Sequence, residues 1–126
     1  MNSEGVDSFV GELEQKLDGG LRTIAVGQFE AESYDIVYIR DDIAAQYSEE
    51  MREQIFNDLV LENLVEVRQQ DLFPPLGGLK YTARVFDGGI NVIGWEEDKG
   101  VFIGLDDDVS LVEPTISACR SEMPEL

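Results

Sequence analysis

The chain has 126 residues, 27 acidic against 9 basic, for a formal net charge of −18, with no histidine and one cysteine. The missing imidazole excludes Ser-His-Asp and Cys-His catalysis and most nitrogen-ligated metal sites, and the lone thiol excludes an intramolecular disulfide, Cys-x-x-Cys redox work and zinc knuckles. A hydrophobic share of 43%, with Trp95, six Phe and four Tyr, excludes an acidic disordered tail and predicts a folded core.

The first predicted element is a helix over residues 6–17, because Val6, Phe9, Val10, Leu13 and Leu17 fall on one stripe of a 3.6-residue period. Gly19-Gly20 supplies its left-handed stop. Residues 21–29 and 34–40 are rich in β-branched and aromatic side chains and predict two strands. The second is apolar on both alternating sets, with Tyr34, Ile36 and Tyr38 on one and Val37 and Ile39 on the other. A strand of that kind is covered on both faces, so helices are expected above and below the sheet.

Asp41-Asp42 starts a short turn carrying Ile43 and Tyr47, and Ser48 is placed to cap the longest helix, predicted over 48–63. Its first turn holds Glu49 and Glu50, where the helix dipole favours anions. Its apolar positions are Met51, Ile55, Phe56, Leu59, Val60 and Leu64. Residues 65–79 form the least regular stretch. A short strand fits 64–68, but Pro74-Pro75 and Gly77-Gly78 stop both helix and ladder. Phe73, Leu76 and Leu79 lie on this loop, either folded onto the core or presented for binding.

Three apolar runs follow, at 81–86, 90–95 and 101–105, separated by Asp87-Gly88-Gly89 and by a turn ending at Gly100. The glycines tolerate positive φ, and the segment reads as a three-stranded antiparallel meander. One alternating set holds Tyr81, Ala83, Val85, Ile90, Val92, Val101, Ile103 and Leu105. The other holds Phe86, Ile93, Trp95 and Phe102, too apolar to be bare, and awaits either a helix layer or a dimer or ligand surface centred on Trp95. Pro114 suits the first turn of a closing helix through Ile116, Cys119, Arg120 and Met123, ended before Pro124. Cys119 reads as a small buried apolar group.

The expected fold class is therefore α+β, a single domain over 1–126 with about five antiparallel strands and helices on both faces. At net charges well beyond about 2 to 8, self-repulsion opposes compaction, and salt near 1 M shrinks the screening length to about 3 Å. An acidic surface with three lysines thus points to the cytoplasm of an extreme halophile, with solvent cations on the surface. The other reading is an acidic mesophilic adaptor or a mimic of nucleic-acid charge. The start of the chain has no basic n-region or apolar h-region, and no run reaches about 18 apolar residues, so no membrane partner is expected.

No cofactor, metal or catalytic residue is expected. Gly77-Gly78-Leu79-Lys80 lacks the spacing of a phosphate loop. Glu96-Glu97-Asp98 and Asp106-Asp107-Asp108 lack that of a calcium loop. Six scattered arginines make no basic stripe, so no nucleic-acid partner is expected either.

The order of helix, two strands, long helix, loop, three strands and short helix resembles the roadblock and profilin-like α/β/α sandwiches. Separately, Tyr34-Asp35-Ile36-Val37-Tyr38-Ile39-Arg40-Asp41-Asp42 and Ala83-Arg84-Val85-Phe86 resemble a group of small acidic haloarchaeal proteins carrying Tyr-Leu-Arg-Asp before the long helix, a group that implies no activity. The roadblock resemblance implies homodimerisation along a helix and a sheet edge, and regulation of small GTPases or motility systems. The first expectation is a non-catalytic interaction or regulatory module, a homodimer with itself or a complex with another protein. Its candidate contact residues are Met51, Ile55, Phe56, Phe73, Trp95 and Phe102, each equally compatible with the core. The alternative is a profilin-like sensor with a small-molecule pocket between the 65–79 loop and the sheet.

Overall fold

The structure, a computed structural model, describes residues 3–28, 33–55, 73–96 and 99–126. Helix α1 (Ser3–Leu17) starts three residues before its first apolar anchor and buries Phe9, Leu13 and Leu17. It stops where Asp18 and Gly19 take φ of 45° and 86°, and Gly20 N–H then donates to the Leu17 carbonyl at 2.9 Å. The chain turns into β1 (Leu21–Gln28) and returns as β2 (Ser33–Ile39). Two short helices follow, α2 (Asp41–Gln46), which buries Ile43, and α3 (Glu49–Ile55). Ser48 Oγ accepts from Met51 N–H at 3.2 Å, the cap that its position predicts. The remainder of the predicted long helix, with Phe56, Leu59 and Val60, lies outside the described residues, as do Leu64 and the short strand over 64–68.

After a 3₁₀ turn at Pro74–Leu76 come β3 (Tyr81–Phe86), β4 (Gly89–Glu96) and β5 (Lys99–Leu105), then α4 (Val112–Glu122). The five strands form one antiparallel sheet in the order β2-β1-β5-β4-β3. The meander alternation sorts its faces. Ile24, Val26, Ile90, Val92, Val101 and Ile103 are buried in one cluster with Phe9, Leu13 and Leu17 of α1 and with Ala118 and Cys119 of α4. At about 1.5–3 kcal/mol for each large side chain so covered, this layer is the principal source of stability. Thr115, the one buried polar side chain among the described residues, donates to the Leu111 carbonyl at 2.7 Å.

The second face carries Ala25, Ile93, Trp95 and Phe102, and α3 lies over part of it, with Arg52 and Ile55 sharing a cavity wall with Ala25 and Phe102. Two bulges set which side chains reach which face. The register between β1 and β2 slips after Ile24, so Ile24 faces Tyr38 and Ala25 faces Ile36. Val37 and Tyr38 therefore both pack toward the α1 core, while Tyr34, Ile36 and Ile39 line the second face. This corrects the strict alternation read from the sequence, because an extra residue resets the two-residue period. A second slip, between Leu21 and Thr23 against β5, puts Arg22 beside Thr23.

The β3–β4 turn falls where Asp87-Gly88-Gly89 predicts it, with Phe86 opposite Gly89, but without the left-handed backbone that those residues tolerate. Neither Asp87 nor Gly88 adopts a positive φ. Gly89 is required for another reason: a Cβ there would lie 2.5 Å from Arg22 Nη1 and 3.0 Å from the Leu105 carbonyl. Its bare Cα lets Arg22 reach across the sheet and donate to the Gly88 carbonyl at 2.8 Å.

Candidate functional site

The strand β3 forms one edge of the sheet. Trp95 N–H donates to the Lys80 carbonyl at 3.1 Å, and the register then makes Thr82, Arg84 and Phe86 the residues that exchange backbone bonds with β4. Tyr81, Ala83 and Val85 therefore turn their N–H and C=O groups outward. No strand meets that side among the described residues. Val85 is 61% and Phe86 53% exposed, one on each face. Soluble proteins usually blunt such an edge with lysine, proline or a bulge. Here only Arg84 carries charge. The opposite edge, β2, has no comparably exposed large apolar side chain among the described residues.

A cavity of about 450 Å³ opens on the second face. Ala25, Ile36, Ile39 and Phe102 give it apolar walls, and Arg22, Arg52, Tyr34 and Tyr47 bring polar tips. Phe86 and the Gly88-Gly89 turn bound it on the β3 side. The Tyr34 hydroxyl is held above its ordinary pKa, first by burial and then by the charge of Glu53, so it stays protonated at neutral pH.

At one end of the sheet, Arg40 joins three segments. Its Nη1 and Nη2 donate to Asp106 Oδ2 and Oδ1 at 2.9 and 2.8 Å, its Nε and Nη2 to Asp42 at 2.7 and 3.1 Å, and Nη1 also to the Gly19 carbonyl at 2.8 Å. Both carboxyls are held below the usual carboxylate range by these bonds, and the guanidinium is held well above its own. This clamp accounts for Asp106, and Asp108 caps the following 3₁₀ turn by accepting from Ser110 N–H at 3.0 Å. Two of the three aspartates in the run thus have structural roles, and among the described residues no group of side chains is gathered as metal ligands would be.

The sequence candidates are placed in different settings. Met51 is exposed on α3, Phe73 is 64% exposed ahead of β3, and Ile55 and Phe102 line the cavity. Trp95 is only 7% exposed. Phe56 lies outside the described residues, as does most of the loop on which a sensor pocket was expected. The described residues that line the cavity belong to the sheet, the β3–β4 turn, the Tyr47 turn and α3. Arg22, Arg40, Arg52 and Asp106 were not among the candidates. The signals for them were indirect: glycines at 89 and 104, opposite the bulge, and the Arg40-Asp41-Asp42 run.

The strand order β2-β1-β5-β4-β3, with α1 and α4 on one face, defines the class as a Roadblock/LC7-like α+β sandwich. A Roadblock/LC7 domain from Streptomyces avermitilis superposes with a TM-score of 0.57 at 11% identity, covering 94% of this chain and 95% of that one. MglC from Myxococcus xanthus gives a TM-score of 0.51 at 15% identity, over 94% and 95% of the two chains. At these identities the likeness is one of fold. The chain itself belongs to the family described as a domain of unknown function, DUF7522, which matches residues 7–124. No curated protein matches it significantly. Among the described residues no helix is long and apolar enough to cross a membrane.

Proposed function

We propose that the protein is a non-catalytic interaction and regulatory module of a halophilic cytoplasm, acting as a homodimer joined through β3. The observation that carries this reading is the open edge, with outward backbone groups at Tyr81, Ala83 and Val85 and apolar cover from Val85 and Phe86. Antiparallel pairing of two such edges satisfies those groups and extends the sheet across both copies. The roadblock resemblance supports the same arrangement, since it implies a dimer along a helix and a sheet edge. Met51 and Phe73, both exposed, are available to a further protein partner. The charge of −18 supports halophily, because two such chains repel each other until salt screens them.

The test is mass in solution by light scattering at salt near 2 M, where the screening length is below about 3 Å. The parent chain gives a dimer, and Val85→Lys, which adds a charge at an already exposed position, gives a monomer with unchanged circular dichroism. A monomeric parent, or a Val85→Lys chain that still dimerises, overturns the reading. Small-molecule sensing is the second reading, and the cavity on the second face is what favours it.

A further inference from the structure

We infer that the cavity on the second sheet face binds a small amphipathic carboxylate, a molecule with one carboxylate head and an apolar chain or ring. The inference gives a ligand class to the sensing reading and is independent of dimerisation.

The volume of about 450 Å³ falls within the range of about 300–1,000 Å³ that small-molecule sites occupy. Its apolar walls ask for an apolar body. The charge pattern asks for an anion. In a chain with 27 acidic residues, the described residues lining this cavity include Arg22 and Arg52 and no carboxylate. The acids whose fields reach its surroundings, Glu49 and Glu53 near Tyr34 and Asp106 near Arg22, are not in the lining.

The two arginines also differ from Arg40. Arg40 spends its guanidinium on two carboxylates and a carbonyl. Among the described residues Arg22 is aimed by a single bond, Nη1 to the Gly88 carbonyl at 2.8 Å, across a glycine that leaves it room. Arg52 makes one long bond among the described residues, Nε to the Ser48 carbonyl at 3.4 Å. Among the described residues the remaining donors of both are uncommitted, and planar donor forks match a carboxylate. The protonated Tyr34 hydroxyl supplies a neutral polar tip on the same wall. Pairing inside a cavity is screened less than pairing on the surface, so the preference survives in concentrated salt.

The experiment titrates the full chain in molar salt with octanoate, octanol and octyltrimethylammonium, read by calorimetry and by amide and arginine Hε chemical shifts. Octanoate binds saturably, about tenfold tighter than octanol, with shifts at Gly89, Phe102 and both arginine Hε groups, and the cation does not bind. Arg52→Met, on a partly exposed helix, brings octanoate down to the level of octanol without changing the fold. Ala25→Leu, which fills the floor and leaves the charges intact, weakens octanoate and octanol alike. Equal binding of octanoate and octanol, full octanoate affinity in Arg52→Met, or no saturable binding overturns the inference. The light-scattering result on Val85→Lys is unaffected by any of these outcomes.

Discussion

Arg40 and Asp106, 66 residues apart in sequence, meet in a two-pronged ion pair with N–O distances of 2.8 and 2.9 Å. The pair ties the end of β2 to the end of β5, and the same guanidinium holds the α1–β1 turn through Gly19. Asp106→Asn keeps the shape and loses the charge. Because the aspartate is partly exposed, the expected loss is about 1 kcal/mol, the lower end for a charge-assisted pair, and smaller in molar salt. Its pH dependence follows from the depressed pKa of Asp106, whose cause is the Arg40 bond. The stabilisation is complete above the ordinary carboxylate value near 3.9 and is lost as pH falls through the lower folded value. The stability difference between parent and Asp106→Asn, from urea midpoints, stays level from pH 7 to about pH 5 and closes only below about pH 4.

Gly89 and Arg22 are coupled by geometry. Gly89→Ala puts a methyl group 2.5 Å from Arg22 Nη1 and close to the Leu105 carbonyl, and overpacking of this kind costs about 1–3 kcal/mol. Arg22→Ala removes the first obstacle and leaves the second. A double-mutant cycle then shows the alanine at 89 costing less in the Arg22→Ala background, with a coupling of at least about 0.5 kcal/mol.

Cys119 is fully buried under α1 and the sheet, and burial pushes its thiol up to about 12. The thiolate is the reactive form and is scarce at pH 8. An aromatic disulfide reagent therefore labels the native chain no faster than it unfolds, whereas denaturant releases one thiol at once. Rapid native labelling would place the thiol at the surface.

On the halophilic reading, salt governs stability as well as the proposed association. Transfer from about 2 M to about 50 mM salt lengthens screening from below about 3 Å to beyond 10 Å and exposes the −18 charge to its own repulsion. The thermal midpoint falls steeply and the chain unfolds or dissociates. A midpoint that does not move contradicts the halophilic reading and leaves the fold as it is.

The fold was legible in the sequence where periodicity was undisturbed. Val6, Phe9, Leu13 and Leu17 mark α1, and the alternation of Ile90, Val92, Val101 and Ile103 marks the face that α1 and α4 cover. The bulges at Arg22 and Val37 were not legible, because a single inserted residue is a compromise between neighbouring strands and leaves no local signature. The same holds for Gly89, whose role depends on an arginine 67 positions earlier. The cavity draws its described walls from all five strands, the turn before α3 and α3 itself, a conjunction that no window of sequence contains. Of the candidates named from pattern alone, Ile55 and Phe102 meet in that cavity, and Trp95 is covered. Val85 and Phe86, which lie on the edge strand, are marked by the sequence alternation only as members of a face.

Amide hydrogen exchange along β3 in molar salt tests the central claim most directly. Thr82 and Arg84 N–H groups bond to β4 and are protected at every protein concentration, while Ala83 and Val85 N–H groups face outward. Pairing of two β3 edges predicts that the amides pointing outward in a dimer contact, those of Ala83 and Val85, become protected as concentration rises, and that Val85→Lys abolishes this gain. Exchange at Ala83 and Val85 that stays fast at concentrations where the parent chain has twice its 14.1 kDa mass would contradict it.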